Sequence, residues 1–367
     1  MVSAGFPPSL GGAERQAYEL SRALRARGHD VFVLTRAFPG APEREEVGGV
    51  PVERLAAWGG GLFNSTVFFC ACLKRLLRGD YDAAHAHLAS SPALAAALAG
   101  RCLGKPVVVK LGGGKGIGEI ALSAKSLSGR LKLALFRRLG PRFIAVASEL
   151  AEELAANGLG TAEVLPNGVD LKRFRPPAPG EKEALRASSG FGPGPVFLYA
   201  GRLAWEKRLP EFAGAFGRAS VGRSPRPQLV AVGAGPMQAE LEAAARVAGA
   251  ELKVLAPVSD PATLYRAADA FILPSVSEGL SNALLEALAS GLPVLGSRVG
   301  GTAEAVEDGI SGLLFDGDPA SAAEAPIRLL LDDPALRARL GAGARERAKA
   351  YSMETVAARV EALYRVC

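Results

Sequence analysis

Short runs of four or five residues, mostly apolar and each followed by a stretch of helical period, recur along almost the whole chain. Val31–Thr35, Pro106–Lys110 and Phe143–Ala147 are such runs in the first half, and a strand and turn fit Asp82–His87. Val196–Ala200, Leu229–Val232, Ala270–Leu273 and Pro293–Gly296 follow in the second. A strand that is apolar without alternation is buried on both faces, as in a parallel sheet with helices on either side. The intervening stretches fit those helices: Gly11–Arg27, ending at Gly28, then Thr66–Arg78, Pro92–Ala99, Pro210–Phe216 and Gln238–Ala248. The chain is read as α/β, with two doubly wound, Rossmann-like domains. Such sheets take ligands at the carboxyl ends of their strands, so the active site is expected in a cleft between the halves.

The length of 367 residues suits about two domains. Arg175–Pro195, punctuated by proline and glycine at both ends, is the best linker candidate. The expected division is 1–175, a linker at 176–194, 195–350, and a C-terminal helix at 351–367 packing back towards the first domain. Helices are expected at Ser321–Leu331, Pro334–Lys349 and Ser352–Arg365, with Pro326 kinking or delaying the first. The first strand is expected to be short, because Met1 stands four residues ahead of Gly5.

At 49% hydrophobic and 22% charged residues, the chain is neither disordered nor solvating. It has no run of about 18 apolar residues to span a bilayer, and MVSAGFPPSLGG lacks the basic and apolar regions of a secretory signal. Cys70, Cys72, Cys102 and Cys367 form no CxxC pair, which points to a reduced, cytoplasmic protein without a cysteine zinc site. With three histidines, a histidine metal site is equally hard to build. Residues 1–175 hold 23 Lys+Arg against 15 Asp+Glu, a net of +8; residues 176–367 hold 20 against 22, a net of −2. Ordinary arginine-rich surface explains this, as does a first half that faces a membrane or a polyphosphate. No nucleic-acid partner is expected.

The most informative stretch is LPSVSEGLSNALLEALASGLPVLG, Leu273–Gly296. A strand ends at Leu273, a loop carries Glu278 and Gly279, and a helix runs from Ser281 or Asn282 to Ser290. Gly291 stops it. The free N–H groups of such a helix start favour an anion. Glu278 and Glu286 stand eight residues apart. On a continuous helix they would lie about 80° apart, able to meet one ligand at different heights. A capping carboxylate plus a solvated one is the plainer reading.

Glu278-x7-Glu286 within PSVSEGLSNALLEALASGLPV resembles the retaining glycosyltransferases of family 4, whose fold is the two-domain GT-B type. GGAER at Gly11–Arg15, RGHDV at Arg27–Val31, HAH at His85–His87 and PNGVD at Pro166–Asp170 agree, in order. YAGRLAWEKR at Tyr199–Arg208, VGAGP at Val232–Pro236 and VGGTAEAVEDGISGLLF at Val299–Phe315 continue the match. The resemblance implies an acceptor-side N-terminal domain and a nucleotide-sugar-binding C-terminal domain. It further implies that Arg202 and Lys207 grip the donor diphosphate, that the amides around Asn282 and Ala283 complete the cradle, and that Glu286 bonds the ribose. Glu278 would meet the donor sugar. Two cations and a helix start can carry the charge that develops on a departing diphosphate without a metal, so neither metal nor cofactor is expected. Two Asp-x-Asp pairs, Asp80/Asp82 and Asp316/Asp318, fall outside the stretches expected to meet phosphate.

In the first half, Gly12 is expected to let backbone approach the donor closely. Alternation points His85 and His87 to the same side of their strand. The resemblance places the second, His87, in the active site, with His85 a core residue bonded to backbone and His29 a structural loop residue. KLGGGKGIGE at Lys110–Glu119 departs from the family pattern, which often has a histidine there; a gating loop and an anion-wrapping loop fit it equally. Its nearest dinucleotide register, Gly116-x-Gly118, is poorly placed after its strand.

Together these features indicate a retaining, metal-independent glycosyltransferase that takes a nucleotide diphosphate sugar, foremost a UDP-sugar. Its acceptor would be a glycan, lipid-linked or lipopolysaccharide-type molecule. A nucleotide-sugar 2-epimerase and a catalytically silent nucleotide-sugar-binding protein are the rival readings. Lys125–Arg142 carries six basic residues and no acidic one, with Leu127, Leu131, Ala134, Leu135 and Leu139 at helical spacing. This is an amphipathic helix suited either to an anionic membrane surface or to packing on the sheet.

Overall fold

The structure, a computed structural model, describes residues 1–8 and 11–365. It divides into two compact units: Met1–Gly168 together with the chain from Met353 onward, and Val169–Ser352.

The first unit carries β1 (Val33–Arg36), β2 (Arg44–Val47), β3 (Val50–Leu55), β4 (Ala84–His87), β5 (Val107–Leu111), β6 (Arg142–Ala145) and β7 (Ala162–Val164). They form two groups, β1-β3-β2 and β4-β5-β6-β7, with β2 antiparallel and the other pairs parallel. The short first strand is reduced to Val2, which bridges Leu34 on one side and Ala86 on the other and so joins the groups. The His87 N–H donates to the Val2 carbonyl at 2.9 Å, and the Val2 N–H donates to that of His85 at 2.8 Å.

Helix Gly12–Ala26 presents Leu20 and Leu24 to one face of this sheet, where they meet Val108, Ile144 and Leu165. The C-terminal helix Met353–Arg365 buries Val356, Ala357 and Val360 in the same cluster. Arg27 pairs with Glu361 at 2.6 Å, and His29 lies 3.7 Å from the same carboxylate. Where the chain leaves this unit, Gly168 has no room for a side chain: a Cβ would stand 2.8 Å from the Met353 sulfur. Gln16 clamps that glycine, its amide donating to the carbonyl at 2.8 Å and accepting from the N–H at 3.0 Å.

The second unit carries β8 (Val196–Ala200), β9 (Gln228–Val232), β10 (Glu251–Leu255), β11 (Ala270–Leu273), β12 (Val294–Ser297) and β13 (Gly312–Phe315). All pairs are parallel, in the order β10-β9-β8-β11-β12-β13. This is the doubly wound order, which reverses between β8 and β11.

Residues 176–194, expected as a linker, instead hold helix Glu181–Ser189, and the boundary between units falls at Gly168–Val169. Charge holds this helix in the second unit: Glu181 pairs with Arg175 at 2.8 Å and Arg266 at 2.6 Å, and Lys182 and Arg186 pair with Asp269 at 2.7 and 2.8 Å. Near Pro326 the chain forms two short helices, Pro319–Ala322 and Glu324–Asp332.

Because Leu24 is fully buried in the cluster shared by both helices, Leu24→Ala is expected to cost about 2–5 kcal/mol in chemical denaturation. Val247→Ala, at a residue 91% exposed, is expected to stay within about 0.5 kcal/mol.

Candidate functional site

At the reversal point of the second unit lie Arg202, Lys207, Glu278, Asn282, Ala283 and Glu286, while Gly12 and His87 belong to the first unit. Beyond β8 the chain turns through Gly201 and Arg202 into a short 3-10 turn at Trp205–Lys207. Beyond β11 it enters the loop that carries Ser275 and Glu278. The Lys207 ammonium donates to Glu278 Oε1 at 2.5 Å, and the Ser275 hydroxyl donates to the same oxygen at 2.6 Å. Both hydrogen bonds fall on one carboxylate oxygen, Oε1. Glu278 is buried, and the Lys207 side chain is 18% exposed.

Arg202 reaches outward, its side chain 70% exposed, with one nitrogen on buried Glu206 at 2.6 Å. Glu206 also joins the two loops through its backbone, its carbonyl accepting the Val276 N–H at 2.9 Å. The Tyr199 hydroxyl donates to the Arg202 carbonyl at 2.8 Å and fixes the start of the turn. Ser275, Glu206 and Tyr199 were not singled out from sequence, although Arg202 and Glu206 stand four residues apart in GRLAWEKR.

Helix Asn282–Ala289 follows, capped by Ser281, whose hydroxyl accepts from the Leu284 N–H at 3.4 Å. Glu278 therefore precedes the helix, so the 80° relation to Glu286 does not apply; Glu286 lies buried within it. Two close approaches shape this edge. A Cβ on Gly301 would stand 1.8 Å from the Gly279 carbonyl oxygen, and one on Gly235 would stand 2.1 Å from that of Leu203.

Beside this site a cavity of about 240 Å³ opens at the ends of β11, β12 and β13, bounded by Ser275, Arg298 and Asp316 among others. Arg298 there is neutralised by Asp308 at 2.7 Å and Asp316 at 3.2 Å. Asp318 pairs with Arg208 at 3.0 Å and caps helix Pro319–Ala322, while Asp80 pairs with Arg75 at 2.7 Å. Among the described residues no group of three or more His, Cys, Asp or Glu is placed to hold a metal. Cys70, Cys72 and Cys102 are free thiols, and Cys367 lies outside the described residues.

In the first unit, Gly11 and Gly12 open helix Gly12–Ala26, with Gly11 as its N-cap. His85 and His87 stack, ring centroids 4.9 Å apart and planes 14° from parallel. His85 is not held by backbone, as expected from sequence, but by Tyr364, whose hydroxyl is 2.6 Å from its Nδ1. Burial, reinforced by the charge of Lys110, holds the pKa of His87 well below the ordinary histidine value. Burial likewise holds His85 well below that value, so both rings are neutral at pH 7. In the glycine-rich loop, Lys115 lies 3.5 Å from Glu152, and the Gly113 backbone packs on Gly118.

Two family models cover most of the chain: Glycosyltransferase Family 4 matches residues 10–173, and Glycosyl transferases group 1 matches residues 181–347. A D-inositol 3-phosphate glycosyltransferase of Xylanimonas cellulosilytica is 32% identical, over 96% of this chain and 91% of that protein. A GDP-mannose-dependent alpha-mannosyltransferase of Corynebacterium glutamicum is 30% identical, over 86% of this chain and 76% of its own length. Among solved structures, Anabaena HepE with UDP and glucose matches with a TM-score of 0.81 at 19% identity, covering 100% of this chain and 99% of that one. WaaG, a glycosyltransferase involved in lipopolysaccharide biosynthesis, matches with a TM-score of 0.77 at 18% identity, covering 99% and 98%. The fold is that of the GT-B glycosyltransferases, two Rossmann-like α/β domains. The chain belongs to glycosyltransferase family 4.

Since a methyl group at Gly301 must displace the Gly279 carbonyl, Gly301→Ala is expected to cost about 1–3 kcal/mol. Thermal unfolding of purified variant and wild type measures it.

Proposed function

We propose that this glycosyltransferase moves a sugar from a nucleotide diphosphate donor, foremost a UDP-sugar, with retention of anomeric configuration and without a metal. The acceptor is a glycan, lipid-linked or lipopolysaccharide-type molecule. The observation that carries the reading is the buried Lys207–Glu278 pair, with exposed Arg202 on the same loop as Lys207, at the point where the sheet order reverses.

Arg202 and Lys207 hold the diphosphate, and the amides of Asn282 and Ala283, at the start of their helix, add oriented dipoles. Glu278 is already anchored through Oε1 by Lys207 and Ser275, so Oε2 accepts from a donor sugar hydroxyl. Glu286 takes the ribose, and Gly12 allows backbone to approach the donor. His87, neutral at pH 7, hydrogen-bonds near the sugar and acceptor rather than acting as a cation. In the transfer the bond from the anomeric carbon to the phosphate oxygen breaks as the acceptor oxygen bonds the same face. The acceptor proton passes to the departing phosphate, and the charge left on the diphosphate is what Arg202 and Lys207 stabilise. The HepE structure holds UDP, whereas the mannosyltransferase relative is named for GDP-mannose; both are nucleoside diphosphate chemistry.

Among the described residues no helix is long and apolar enough to cross a membrane. Helix Leu127–Leu139 turns Leu133 and Phe136 inward but leaves Leu127 84% and Leu131 63% exposed, with Arg130 and Arg138 also exposed. That outward stripe supports reversible attachment to an anionic membrane, with about 1 kcal/mol from each basic residue near the surface. Lys132 and Arg137 instead donate to the carbonyls of Ala89 and Asn157 at 2.8 and 2.9 Å, so they serve the fold as well.

Arg202→Ala and Lys207→Ala are each expected to lower turnover by roughly 10²–10³, in a reaction that persists in excess EDTA. Each substitution also removes the partner of a buried carboxylate, Glu206 for Arg202 and Glu278 for Lys207, at about 3–5 kcal/mol, so thermal unfolding of each variant is measured beside its turnover. Wild-type turnover in Arg202→Ala, or EDTA inhibition reversed by Mn²⁺, would contradict the diphosphate assignment. Wild type is expected to sediment with anionic vesicles at low salt and to release at roughly 0.5 M. A variant combining Leu127→Ser, Leu131→Ser, Arg130→Gln and Arg138→Gln should stay in the supernatant; equal sedimentation would make the stripe a structural feature only.

A further inference from the structure

Strand β5 carries, one residue before its end, a lysine that the donor chemistry does not use. Lys110 is 4% exposed and stands in register with His87 on β4 and Ile144 on β6. Strand alternation puts it on the same face as Val108, which packs in the cluster under helices Gly12–Ala26 and Met353–Arg365. Among the described residues the Lys110 ammonium makes no hydrogen bond and no ion pair. Buried lysines are ordinarily paired, because an unpaired charge out of water is costly. Here burial lowers the pKa to about 7.

The neighbouring imidazole is in the same condition. His87 is 3% exposed, and its Nε2 is buried without a hydrogen-bond partner. Its ring is held in place by stacking on His85, which Tyr364 fixes in turn. Two unpartnered nitrogen side chains on residues only 4% and 3% exposed, Lys110 and His87, thus stand in register at the carboxyl ends of adjacent parallel strands. Val2, β4 and β5 meet there, at the reversal point of the first unit's sheet. Neutral hydrophobic side chains would pack at this position without such a penalty, so the polar pair calls for a ligand that satisfies it.

We propose that Lys110, with His87 beside it, binds an oxyanion carried by the acceptor, a phosphate or carboxylate substituent. The proposal rests on the glycosyl-transfer reading for the identity of the acceptor, but the anion chemistry stands on Lys110 and His87 alone. A lone ammonium is a point charge suited to one oxyanion oxygen. A neutral imidazole supplies an N–H to a second. The donor diphosphate has its own cations, Arg202 and Lys207, in the other unit.

The test uses the whole protein labelled with [6-¹³C]lysine, its Lys110 resonance identified by its loss in Lys110→Met. That variant keeps the apolar stem and removes a buried charge, and its folding is checked by the remaining lysine signals. Inorganic phosphate is titrated into wild type alone and into wild type saturated with UDP or GDP. The expected result is a saturable shift of the Lys110 resonance that persists with nucleotide bound, and phosphate binding about tenfold weaker in Lys110→Met. A Lys110 resonance that phosphate never moves would overturn the anion site. A resonance moved by the nucleotide and then indifferent to phosphate would overturn the acceptor assignment, because the lysine would then serve the donor. Nucleotide binding is followed separately by calorimetry. Its absence with the phosphate response intact would remove the glycosyl-transfer reading and leave the anion site standing.

Discussion

Strand β8 pairs with β9 on one side and β11 on the other, and this one constraint places everything at the second unit's reactive edge. The helices after β8 and β9 pack together on one face, while those flanking β11 pack with helix Pro334–Ala348 and helix Glu181–Ser189 on the other. Loops leaving β8 and β11 therefore diverge and leave room at their carboxyl ends. Into that room come a cation from one loop, Lys207, and a carboxylate from the other, Glu278, joined at 2.5 Å. A buried pair of this kind adds little net stability, yet losing either member is costly. It fixes the two loops in register and orients Glu278 by committing one of its oxygens.

The first unit repeats the topology with a different electrostatic outcome. Val2 lies between Leu34 and Ala86, so helix Gly12–Ala26 and the His87 end of β4 sit at the matching reversal. In the second unit opposite charges at this edge satisfy one another. In the first, Lys110 and His87 are both buried, both nitrogenous and not bonded to each other.

What the sequence disclosed follows from range. Strands buried in the sheet, such as β8 and β11, announce themselves by unbroken apolar runs. The hairpin β2–β3 and strand β10 escaped notice because they are partly exposed and carry charged residues. Helix Glu181–Ser189 read as linker because proline and glycine flank it, whereas Arg266 and Asp269, which pin it in place, lie more than 80 residues away. The partner of His85 is Tyr364, 279 residues distant, and nothing local to HAH betrays it. Ordered motifs around Arg202, Lys207 and Glu278 were legible because each occupies one loop; the 2.5 Å contact that joins two of those loops was not.

Direct calorimetric titration of nucleoside diphosphates, UDP, GDP and ADP in turn, into wild type and Arg202→Ala protein bears most closely on the account. Arg202 is exposed but its guanidinium also holds buried Glu206, so thermal unfolding of both proteins is read alongside, and a change in binding at unchanged stability reports the ligand rather than the fold. The account predicts that at least one diphosphate binds wild type and that its affinity falls about tenfold or more in the variant, the loss of a charge-assisted contact. Equal affinities in the two proteins, or no binding of any of the three, would contradict it.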